Sequence, residues 1–140
     1  MTTLPVPRIR YRMQAMSLLH AVLLSFDPEL GPVEVADMYA QVRAWPDDIG
    51  GFEHLAIGPP ITTARARGYH YLLHVVLPDE VALERYQVHP VHQRFAAWVR
   101  EHGGLVLAFD YILDEETVVF DAASSARRPG SSSETRVEAP

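Results

Sequence analysis

Tyr86, His89 and His92 fall together in the stretch YQVHPVHQRF, with Pro90 between the two histidines. Histidine is the side chain whose ordinary pKa, near 6.5, suits a general base at neutral pH. A tyrosine hydroxyl can steady an oxygen that gathers charge. A proline at this point ends one element and opens the next, and junctions leave side chains free to enter a cavity. The same residues also fit a plain junction, with His89 closing one helix, His92 in the first turn of another and Tyr86 in the core. On the residues alone that structural reading is the simpler one. Two further groups stand out. His20 lies in the apolar run SLLHAVLLSF, and Asp110 interrupts LVLAFDYIL, where a carboxylate needs a partner. Asp110 could orient His92 as a carboxylate orients an imidazole in a triad, or could be held by backbone amides or a tyrosine hydroxyl.

The elements that must position these groups follow from periodicity and punctuation. Ser17–Phe26 reads as a strand ending at the Asp27-Pro28 turn signal. Pro32–Trp45 carries Val35, Met38, Tyr39 and Val42 at helical spacing, and the Trp45-Pro46 step is expected to end that helix. Gly51–Gly58 and Gly68–Leu77 read as strands. Asp79–Val88 reads as a helix with Asp79 as N-cap. It is interrupted at Pro90 and resumes from Val91 to the Gly103-Gly104 stop. Leu105–Leu113 is the last strand. The order β-α-β-β-α-β predicts an α+β, ferredoxin-like fold, a four-stranded antiparallel sheet with both helices on one face. The other face would be bare and apolar, so a homodimer through that open face is expected.

Alternation assigns faces. Tyr69, Tyr71, Leu73, Val75 and Leu77 are expected to face the helices, while His70 and His74 face the partner and hydrogen-bond there. A metal held by that histidine pair lacks an apparent third ligand. His20, Val22, Leu24 and Phe26 share a face of the first strand, as do Val106, Ala108 and Asp110 of the last. An apolar pocket walled by Val22, Leu24, Val35, Met38, Leu73, Val75 and Ala108, with His20 and Tyr71 as polar contacts, would suit a small molecule.

Composition narrows the classes. The 140 residues suit one domain, and the formal charge of −6 argues against nucleic acid as a partner. The absence of cysteine removes disulfides, thiolate metal sites and a cysteine nucleophile. No apolar run has the length of a membrane span and the start lacks a signal-peptide core, so a cytoplasmic protein is expected. No phosphate-cradling glycine loop implies a nucleotide, and no cofactor or metal is expected. Residues 1–16 read as an arm, 17–115 as the domain, and 116–140, rich in Ser, Arg and Pro, as a disordered tail.

Tyr86, His89, Pro90 and His92, followed by Phe109, Asp110 and Tyr111, resemble the Tyr-x-x-His-Pro-x-His element and the Phe-Asp-Tyr strand end of the stress-responsive A/B barrel (Dabb) domain family. The resemblance spans about Ser17 to Leu113 and implies a dimeric α/β barrel. Polyketide cyclases of the olivetolic acid cyclase type share it, which implies an aldol cyclisation of a poly-β-keto substrate, or a related lyase or isomerase step. By motif it makes His92 the base, Tyr86 the assisting hydroxyl, His20 the first-strand histidine and Asp110 the final-strand acid. His89 and Pro90 take a structural role at the junction. The cyclases carry a histidine where this chain has Tyr71, with His70 one register step away. Two other functions fit the class: a non-catalytic, stress-associated binding dimer and, less well, a cofactor-free monooxygenase of aromatic polyketides.

Overall fold

The structure, a computed structural model, describes residues 16–122. The arm read over 1–16 lies outside them except for its last residue, as does the tail from 123 onward. Of the remaining tail residues, Glu116 and Thr117 donate backbone N–H groups to Asp114 Oδ1 in a tight turn. The elements are β1 (Ser17–Phe26), α1 (Pro32–Asp48), β2 (His54–Gly58), β3 (Tyr71–Leu77), α2 (Glu80–Val88), α3 (Pro90–Glu101) and β4 (Gly104–Leu113). They form one antiparallel sheet in the order β2-β3-β1-β4, the ferredoxin-like arrangement. No helix among the described residues is long and apolar enough to cross a membrane.

Local signals place most boundaries. Asp79 caps α2, its Oδ1 accepting the Ala82 N–H at 2.9 Å. His89 is both the last cap of α2 and the first of α3, and its Nδ1 accepts the Val91 N–H at 3.1 Å. Pro90 then occupies the first helical position, where no N–H is needed. Gly103 ends α3 at φ 73°, where a Cβ would lie 2.5 Å from the Asp27 carbonyl oxygen, so only glycine fits between α3 and β4. Two expectations fail. Helix α1 runs through Pro46 to Asp48, because the Trp45 carbonyl accepts from the Ile49 and Gly50 N–H groups beyond the proline. Strand β3 begins at Tyr71 and not at Gly68.

The core fills the space between the sheet and the helices. Along β1, Leu18, His20, Val22, Leu24 and Phe26 are buried and alternate with half-buried residues. Val22, Leu24 and Phe26 join one core cluster with Leu73, Val75 and Leu77 from β3, Met38, Val42 and Trp45 from α1, Tyr86 from α2, and Phe95 and Val99 from α3. The opposite face of the sheet is bare. Leu107, Phe109 and Tyr111 on β4 and Leu72 on β3 are all exposed there, Phe109 by 63%.

His74 lies on that bare face, its ring edge-on to His54 at 5.2 Å. His70 does not join it. Because β3 starts one residue later, alternation does not reach His70, whose Nδ1 instead accepts the Phe26 N–H at 2.9 Å. Its ring stacks on Phe26. Tyr69 likewise precedes the strand. It lines a concavity of about 810 Å³ on the bare face instead of facing the helices.

Candidate active site

The helices leave β4 only partly covered, so Val106 is 58% exposed although it points to the helix side. A cavity of about 380 Å³ opens between β1, β4 and the α2–α3 pair. Its far end is polar. His20, Tyr86 and His92 all line it, with the Tyr86 ring packed on both imidazoles at centroid distances of 5.6 Å to His20 and 4.4 Å to His92.

Register sets the first pair. In the β1–β4 ladder His20 stands opposite Asp110, and Nδ1 of His20 meets Asp110 Oδ1 at 2.5 Å. An ionised carboxylate only accepts, so Nδ1 carries a proton, and in the neutral imidazole Nε2 then keeps its lone pair. Asp110 therefore serves His20 and not His92. The partner of His92 is the main chain, since its Nδ1 lies 3.2 Å from the Gln87 carbonyl oxygen. A carbonyl also only accepts, which again puts the proton on Nδ1 and frees Nε2. Gln93 Nε2 donates to the same carbonyl at 2.6 Å and fixes it. The pairing works because Gln87 lies in the last turn of α2, Pro90 turns the chain, and the first turn of α3 returns His92 to the carbonyl it has just passed.

Burial sets the electrostatics. It holds the His92 imidazole below the ordinary histidine value, a lowering partly offset by the Gln87 carbonyl and reinforced by His20. Burial pushes the Tyr86 hydroxyl well above its usual pKa, with the Asp110 charge adding to the effect. Tyr86 is 1% exposed and its ring is gripped edge-on by Trp45 and Phe52. The hydroxyl is buried without a hydrogen-bond partner. A buried, protonated, unpaired donor beside two imidazoles held through their Nδ1 atoms can receive a substrate oxygen while a base removes a proton.

The expected walls are half right. Val22, Leu24, Leu73 and Ala108 line the cavity. Met38 and Val75, both 0% exposed, lie in the packed centre instead, where α1 meets the sheet without a gap. Val35 is half-buried on α1 and also stands outside the lining. Tyr71 pairs with Leu24 in the ladder and packs on Phe26 and Tyr39, away from the histidines. Burial and the neighbouring Tyr39 and Glu29 raise its hydroxyl. The wall the sequence reading missed is α3 itself. His92, Phe95, Ala96, Val99 and Arg100 all line the cavity and recur at helical spacing, so extending the period from His92 would have found them.

This architecture defines a class: a ferredoxin-like domain with a histidine- and tyrosine-lined cavity under its helices and an uncovered apolar sheet face. The chain belongs to the stress responsive A/B barrel domain (Dabb) family, whose sequence pattern matches residues 18–113. No curated protein sequence matches it. Among solved structures it is similar to a dimeric ferredoxin-like protein of unknown function from Thermobifida fusca, with 22% identity, a TM-score of 0.62 and coverage of 71% of this chain and 93% of that one. It is similar as well to the hydroxynitrile lyase of Passiflora edulis, with 15% identity, a TM-score of 0.63 and coverage of 71% and 94%. A Dabb family protein from Mesorhizobium loti matches with 22% identity, a TM-score of 0.53 and coverage of 69% and 95%. At these identities the likeness establishes the fold.

Proposed function

We propose that the chain is a cofactor-independent enzyme, active as a homodimer in the cytoplasm, that closes a poly-β-keto substrate by an intramolecular aldol step. The observation that carries this reading is the buried, unpartnered hydroxyl of Tyr86, on a ring packed against two imidazoles whose Nδ1 atoms are already engaged. His92 Nε2 removes a proton from a carbon between two carbonyls. The resulting enolate carbon bonds to a distant ketone carbon, and the ketone oxygen takes up the charge against the Tyr86 hydroxyl. The proton then passes from the His92 imidazolium to that oxygen, so the step relocates one proton and forms one carbon–carbon bond. His20, held by Asp110, also packs on the Tyr86 ring and supports the same oxygen or a neighbouring carbonyl. That a lyase shares the fold supports an enzyme over a purely structural dimer. The bare sheet face, with Leu107, Phe109 and Tyr111 exposed, supports a partner, and the related structures described as dimeric support a second copy.

The test compares wild type, His92→Ala and Tyr86→Phe on poly-β-keto thioesters of several chain lengths, with products resolved by mass spectrometry. Redirected products from wild type that disappear in folded His92→Ala are expected. Spontaneous products unchanged by any of the three would place the protein among non-catalytic binding dimers.

A further inference from the structure

Resting on the reading of this cavity as a substrate site, we propose that it is a slot of fixed length that selects an elongated substrate with an apolar stretch leading to an anionic terminus held by Arg100. Helix α3 supplies the ruler. His92 and Arg100 both line the cavity, and at a rise of ~1.5 Å per residue they stand about 12 Å apart along the helix axis. Between them the same helix face presents Phe95, Ala96 and Val99. The facing strands run in step. Asp110 and His20 stand opposite each other near His92, and Val106 and Leu24 stand opposite each other further along. Gly104, just before Val106, would touch Val99 if it carried a Cβ. The reactive groups therefore occupy one end, Arg100 the other, and hydrocarbon the span between.

Charge orients the occupant. Asp110 places a carboxylate at the histidine end, which disfavours an anion there. At the far end Arg100 is exposed, and no carboxylate among the described residues forms an ion pair with it. The chain as a whole carries −6, so its general field repels anions and an anion preference must be local. A guanidinium presents a planar fork that matches a carboxylate or a phosphate.

The experiment titrates the full-length protein calorimetrically with straight-chain carboxylates of about six to about fourteen carbons, each beside its primary alcohol and its alkyl phosphate. Because the Arg100 end is exposed, wild type is expected to bind the better of the two anions about fivefold tighter than the alcohol at the best length. Arg100→Gln should bring that ratio to about one, Arg100→Lys should restore part of it, and Arg100→Glu should invert it. Arg94, exposed on α3 but outside the lining, is the control, and Arg94→Gln should leave the ratio intact. The carboxylate and phosphate arms report which anion the slot takes. Equal loss in both glutamine variants, a ratio unaffected by Arg100→Gln, or no binding at any length would overturn the inference. Binding is read apart from turnover. An Arg100-dependent preference without turnover sinks the aldol reading alone, while normal cyclisation with an Arg100-independent ratio sinks the slot alone.

Discussion

Replacing Tyr86 with phenylalanine separates stability from activity, because the two depend on different atoms of one side chain. The ring is 1% exposed and meets His20, Trp45, Phe52 and His92, and phenylalanine keeps all of those contacts. The hydroxyl is buried and makes no hydrogen bond, so deleting it breaks nothing and removes a desolvation cost of roughly 1–3 kcal/mol. Lost dispersion around one oxygen gives back a few tenths of a kcal/mol. The expected result is a protein as stable as wild type or more stable by about 1 kcal/mol, seen as a higher urea midpoint at unchanged m-value and a Tm raised by about 4 °C. Cyclisation should fall by about 10²-fold, since one preorganised donor to the developing oxyanion is gone. Tyr86→Ala, which also empties the ring's place, should cost about 3–5 kcal/mol. A loss of more than about 2 kcal/mol in Tyr86→Phe would mean that the hydroxyl holds the structure together, and the argument for a vacant donor would fail.

Four other outcomes follow from the same geometry. The acidic limb of kcat/KM should inflect below 6.5, because burial lowers the His92 value and the base stays neutral further into acid. By the same sign, the His92 contribution to stability is present above about 6.5 and is lost as the pH falls through the lowered value, so His92→Ala should flatten urea midpoints measured from pH 7 to 5. Asp110→Ala leaves a 4%-exposed His20 without its acceptor and should cost about 1–3 kcal/mol, while Asp110→Asn, which keeps an acceptor oxygen, should cost less by urea denaturation. Phe109→Asp places a charge on the bare face and should convert the dimer to a folded monomer in sedimentation velocity. A wild type already monomeric at micromolar concentration would remove the basis for the interface.

Much of this was legible in one sequence because it is local. The Asp79 cap, the His89-Pro90 junction and the alternation of β1 involve residues within a turn of one another, and each appears where its pattern puts it. The faces of β1 and β4 were legible too, since alternation needs no knowledge of neighbours. His70 and Tyr69 were misplaced because alternation holds only inside a strand, and β3 starts just after them. The span of α1 was misjudged at Pro46 because a helix can route its hydrogen bonds past a proline when the residues beyond it reach back to an earlier carbonyl.

What the sequence by itself determined was the element order, the family motif and the four polar side chains, His20, Tyr86, His92 and Asp110, that end up in or beside the cavity. Which of them pair was decided only by the tertiary structure. Asp110 meets His20 because the β1–β4 register sets them opposite each other although they stand 90 positions apart, and nothing in the local sequence encodes a register. His92 turns instead to the Gln87 carbonyl, a main-chain atom that no residue type reveals. The cavity itself exists because the helices cover β1 and β3 but leave β4 only partly covered, a matter of how elements of given lengths pack against a four-stranded sheet.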